Sequence, residues 1–94
     1  MKSFDAWKKK MLKRPEFREE YEALEEEFAL AQELIAARAR AKLTQAQVAR
    51  RMGTSQSAVA RLEGGGAPSI TTLRKFAHAT GSRVEIKLPK ARRG

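Results

Sequence analysis

Gln56, Ser57, Ala60 and Arg61 lie within six consecutive residues, and their side chains match what the edges of DNA bases offer. A glutamine amide pairs with the N6/N7 edge of adenine, an arginine fork with O6/N7 of guanine, and serine with either partner type. Ala60 adds little bulk, so a helix carrying it can approach a base closely and touch a thymine methyl. At 100° per residue these four side chains share one side of a helix. Ser55, Ala58, Val59 and Leu62 take the opposite side, the one that must pack. The exposed four, together with Ser55 at the start of the helix, are the candidates for base readout.

Such a helix needs a support that holds it at a fixed angle, and the preceding residues have the spacing for one. A small residue is required where two helices cross, and Ala49 supplies it; four positions on, Gly53 tolerates the positive φ of a tight turn. Six positions further, Val59 is the buried aliphatic, while Val48, Met52 and Leu62 complete the apolar contacts. The helix-turn-helix packing set is therefore Val48, Ala49, Gly53, Val59 and Leu62. Backbone contacts to phosphate would come from elsewhere. Thr44 and Gln45 open the first helix, whose N-terminal N–H groups favour an anion. Arg38, Lys42 and Arg50 flank it, and Lys75 accompanies the helix that follows Ser69. These groups would position the protein without reading sequence.

The remaining chain divides by pattern. Ser3 is placed to cap a short helix from Phe4 to about Lys13, and Pro15 suits the first position of another. Helical spacing then continues through Phe17, Tyr21, Leu24, Phe28, Leu34 and Ile35 to about Lys42, as one helix or two. Thr44, Thr54 and Ser69 are the expected caps of three short helices, with Gly53 and Gly81 at positions that want a left-handed residue. After Gly81, Val84, Ile86 and Leu88 alternate with charged residues, the pattern of a strand with one buried face. A lone strand cannot satisfy its own backbone. Antiparallel pairing of Val84, Ile86 and Leu88 with the same strand of a second subunit would give a two-fold homodimer.

Charge separates the same regions. The chain of 94 residues has a formal net charge of +9, with +5 on residues 1–15, −7 on residues 16–33 and +11 on residues 34–94. A basic majority beside an acidic helix points to a polyanion-binding domain joined to a segment with another task. Catalysis and metal chemistry find no support. Cysteine is absent, His78 is the sole histidine and has no carboxylate partner in view, and the run Gly64-Gly65-Gly66 lacks the Lys-Ser/Thr ending of a phosphate loop. No catalytic residue, metal or cofactor is expected. Without a membrane-length apolar run, a signal-peptide pattern or cysteine, a cytoplasmic location is expected.

The stretch LTQAQVARRMGTSQSAVARLEGGGAPSITTLRKFAHATG resembles the helix-turn-helix of the Cro/phage-repressor (XRE) family, over about residues 29–81. The triple glycine at 64–66 departs from that pattern, where a charged residue is common. More narrowly, PEFREEYEALEEEFALAQELIAARA, then that domain, then RVEIKL resembles HigA-type antitoxins. The resemblance implies a mainly α, five-helix-type λ-repressor-like domain with an N-terminal helical extension and a C-terminal strand paired across a dimer. It divides the chain at 1–28, 29–81 and 82–94. It further implies binding to an inverted-repeat operator in double-stranded DNA, repression of the protein's own operon, and neutralisation of a RelE/HigB-like mRNA-cleaving toxin. Phe4, Trp7, Met11, Phe17 and Tyr21 would then be the toxin-binding residues, with the glutamates opposite a basic toxin. The alternatives are a stand-alone phage-like or restriction-controller regulator and, from another class, a basic RNA- or ribosome-associated protein. Few aromatics in the basic half argue against the RNA reading.

Overall fold

In a computed structural model, the backbone is described for residues 2–11 and 13–91, and the side chains for residues 6–11 and 13–91. Five helices follow in order: α1 (Lys2–Met11), α2 (Pro15–Arg40), α3 (Gln45–Met52), α4 (Gln56–Glu63) and α5 (Ile70–Ala79). The fold is mainly α and λ-repressor-like. α1 is already helical at Ser3, so the expected cap falls inside it, and the Phe4 side chain lies outside the described residues.

α2 is one helix of 26 residues, which settles the choice between one helix and two. Pro15 occupies its first turn, where a missing N–H costs nothing, and neither glycine nor proline interrupts it afterwards. Glu16 in the first turn and Arg38 and Arg40 in the last complement the helix dipole. At about 1.5 Å per residue the rod is roughly 39 Å long, and it runs straight through the expected boundary at residue 28.

The core forms where the C-terminal half of α2 meets α3, α4 and α5. Leu34 and Ala37 of α2, Val48 and Ala49 of α3, Val59 of α4, and Phe76 and Ala79 of α5 are buried together. Leu30, Leu43, Met52, Leu62 and Leu73 pack against that cluster from its edge. Each such large side chain removed from water contributes about 1.5–3 kcal/mol before entropy is counted, so Phe76, Val48 and Val59 dominate the small core.

Three helix ends share one geometry. Leu43 N–H reaches Arg38 O while Lys42 N–H reaches Ala39 O; Thr54 and Gly53 repeat this on Ala49 and Arg50, and Ser82 and Gly81 on Ala77 and His78. Each is a Schellman closure with a left-handed residue at its hinge. Glycine takes the hinge at Gly53 (φ 70°) and Gly81 (φ 67°), but Lys42 takes it at φ 57°.

Two further sequence expectations need correction. Ser55, not Thr54, caps α4: its Oγ accepts from Ala58 N–H at 3.1 Å. Thr54 is spent on the preceding turn, whose closure needs its N–H. The expected strand at Val84, Ile86 and Leu88 is not found: residues 82–91 contain neither helix nor strand. A strand exists only where a ladder partner exists, and among the described residues no second strand is present.

Candidate DNA-binding surface

α3 and α4 form the motif. Thr44 Oγ1 accepts from Gln47 N–H at 3.1 Å and Gln47 Oε1 accepts from Thr44 N–H at 2.8 Å, a reciprocal capping box that fixes where α3 begins. Gly53, Thr54 and Ser55 make the turn. Val48, Ala49 and Val59 are buried beneath it, and Leu62 is half-buried at the edge. With Val59 fully enclosed, the opposite side of α4 faces outward: Gln56, Ser57, Ala60 and Arg61 are all exposed, as is Ser55. Ser55 Oγ is engaged by the Ala58 N–H and stands 3.1 Å from Ser57 Oγ, so the two hydroxyls bond each other at the start of the helix.

The orientation of α4 is set at its far end by a residue that the sequence reading did not single out. Glu63 is buried, and both its carboxylate oxygens are held by Arg38, at 2.7 Å from Nε and 2.9 Å from Nη2. Arg38 Nη1 donates to Leu43 O at 3.1 Å, and Gln45 Nε2 donates to Glu63 Oε1 at 3.2 Å. The carboxylate thus ties α4 to α2 and α3, and the guanidinium it holds reaches on to the 41–44 connection. The Glu63 hydrogen bond pushes the Arg38 pKa above its usual range, against the desolvation that lowers it, with the Glu63 charge adding to the rise. Arg38 was expected to touch phosphate; the structure places its guanidinium on Glu63 instead. Nothing in the spacing announced a pair 25 residues apart.

The other expected phosphate-contacting groups fall into two sets. Thr44, Lys42 and Arg50 are exposed around α3, and Gln45, half-buried, has its amide on Glu63. The Thr44 hydroxyl accepts in the capping box, which leaves its own proton to donate. Lys75 is exposed on α5 and joins Arg61 in lining a cleft with Thr54, Thr72 and Gly66. The structure therefore brings one base-reading candidate and one phosphate candidate to the same opening. Arg51 Nη1 donates to Ala79 O at 2.9 Å, joining α3 to the end of α5.

The expected toxin-binding residues lie elsewhere, on the α1–α2 hairpin. Trp7 meets Phe17 edge-on at 5.5 Å, Phe17 stacks with Tyr21 at 6.3 Å, and the Lys8 ammonium lies 4.7 Å over the Tyr21 ring. Met11 is half-buried. These rings pack on one another and hold α1 to α2.

Among the described residues, no helix is long and apolar enough to cross a membrane, and no group of three or more His, Cys, Asp or Glu is placed to hold a metal. The helix-turn-helix family model matches residues 34–86, from the buried half of α2 to beyond α5. No curated protein and no solved structure matches the chain. The match spans more than half of the 94 residues and contains the packed pair, the glycine turn and the exposed face of α4. The chain belongs to the helix-turn-helix family, as an XRE/Cro-type sequence-specific DNA-binding domain.

Proposed function

We propose that this protein is a transcriptional regulator that lays α4 in the major groove of a short operator. One observation carries the reading: Gln56, Ser57, Ala60 and Arg61 are exposed together along one side of α4, with Ser57 and Arg61 opposite the fully buried Val59 and Gln56 and Ala60 on the flank between. Gln56 and Arg61 are the base readers, Ser57 and Ala60 permit close approach, and Thr44, Lys42, Arg50 and Lys75 fix the register on phosphates. The protein binds as a two-fold dimer through residues 82–91. In support, Ile86 and Leu88 are 58% and 93% exposed on a segment with no ladder partner among the described residues. Selecting bound sequences from random duplex DNA tests both parts. An inverted repeat with half-sites roughly 34–36 Å apart is the expected product; a single unrepeated site removes the dimer, and no enriched sequence removes the operator.

A second reading adds a protein partner, and the character of α2 favours it. Residues 16–33 carry a net charge of −7, which phosphates repel, yet α2 leaves Leu24 and Phe28 exposed there. In this reading the protein is an antitoxin whose N-terminal hairpin holds a basic, RNA-cleaving toxin while α4 represses the shared operon. Growth rescue on co-expression with the product of the adjacent reading frame tests it; toxicity that persists leaves the stand-alone regulator.

A further inference from the structure

Phe17, Tyr21, Leu24, Phe28, Ala31 and Ile35 recur at alternating intervals of four and three residues along α2. That heptad spacing keeps one apolar stripe facing one way. Both ends of the stripe are covered. Trp7 stands against Phe17 and Lys8 lies over Tyr21, while at the other end Ala31 is buried. Between them Leu24 and Phe28 are 56% and 66% exposed. They are one turn apart, about 6 Å along the axis, so together they make a single open gap in an otherwise covered seam. Paired large apolar side chains in such a gap are a contact surface rather than scattered surface residues.

The borders of the gap choose its occupant. At 100° per residue Glu20 and Glu27 run along one edge of the stripe and Glu25 along the other. A second copy of α2 would set like charges against each other, and DNA would be repelled by the same glutamates. A protein surface with an apolar knob ringed by Lys and Arg fits. We infer that the Leu24–Phe28 gap is the docking site for a basic protein partner, with these two side chains as anchors and Glu20, Glu25 and Glu27 as the rim. The inference rests on the partner-binding reading above and moves the main anchor away from the half-buried Phe17 and Tyr21 and from Trp7, which is 49% exposed but has its ring edge-on to Phe17. It also lies on the same unbroken helix as Arg38, fourteen residues and roughly 21 Å from Leu24, so partner and DNA-reading helix attach to one rod.

The test is co-expression of the full chain with the products of the adjacent reading frames, followed by co-purification and a titrated affinity for any product retained. Wild type should form the complex. The double substitution Leu24→Ala with Phe28→Ala should weaken it about 30-fold or more, as loss of buried anchors does, and Glu27→Lys several-fold. Helix content and operator binding of both variants should stay at wild-type levels. Trp7→Ala should weaken the complex less than the double substitution. An intact complex in the double variant overturns the proposal while leaving the partner reading in place. No complex with wild type overturns both. If Phe28→Ala instead converts a wild-type dimer of this chain to monomers without affecting the partner, the gap is an interface between copies and the proposal falls.

Discussion

The two halves of α2 hold the chain in different ways. From Leu30 onward the helix is embedded among three others, and its contacts are Leu34, Ala37 and the Arg38–Glu63 pair. Before that it holds α1, through a stack of Trp7, Phe17 and Tyr21 and a lysine over the last ring, while Glu26 and Ala29 line an open cleft with residues 83–87. The first arrangement is a closed core with a part-buried ion pair at its edge; the second is a two-helix edge with apolar residues still in water. A sequence pattern that looks uniform across residues 16–42 therefore serves two purposes. Amphipathic spacing shows that a face exists, but it does not show what lies against that face.

The sharpest way to break the comparison is to open the core. Phe76→Ala removes a ring that is 1% exposed and should destabilise the fold by about 3–5 kcal/mol, with thermal unfolding and operator binding lost together. The hairpin should not survive such a loss, because the second half of its long helix is part of that core.

Next in size is the ion pair. Arg38→Ala leaves the buried Glu63 with the Gln45 amide as its remaining partner among the described residues; because Arg38 itself is 23% exposed, the loss should reach about 1–3 kcal/mol, short of a fully buried pair. Urea unfolding measures it. A change below ~1 kcal/mol would mean that the pair is screened like a surface one.

Arg61→Ala should separate reading from holding. It should cost about 1–3 kcal/mol on the selected operator and almost nothing on random DNA. Equal losses in a mobility-shift assay would make Arg61, in its cleft beside Lys75, a phosphate contact.

On the other side of the comparison, Trp7→Ala removes one edge-to-face contact worth about 0.5–1.5 kcal/mol beyond its area. Amide exchange in α1 should speed up while exchange in α3–α5 and operator affinity stay unchanged. Coupled loss in both regions would erase the distinction between the two halves of α2. The smallest effect is a gain: Lys42→Gly relieves a left-handed lysine and should stabilise by about 0.5–1 kcal/mol. If Lys42 also touches phosphate, the more stable variant will bind DNA less tightly.

The sequence by itself determined the reading motif. Ala49, Gly53 and Val59 lie within eleven residues, and Thr44 and Ser69 cap the helices they were expected to cap. Local rules suffice there, because a cap, a left-handed glycine and a 3.6-residue period act within a turn or two of chain. Even the one-residue error at Thr54 was local: two adjacent hydroxyl residues both qualify as caps, and only the closure of the preceding turn chooses Ser55. Tertiary structure alone decided the rest. Arg38 reads from sequence as one more cation near DNA, and becomes the partner of Glu63 only when α2 is laid across α4. Val84, Ile86 and Leu88 alternate as a strand does, yet pairing needs a second segment that local pattern cannot supply. Trp7, Phe17 and Tyr21 looked available, and Leu24 and Phe28 looked like their neighbours, until α1 folded back and covered some of them and not others. Burial depends on contacts between residues far apart in the chain, and those contacts are what three-dimensional packing adds.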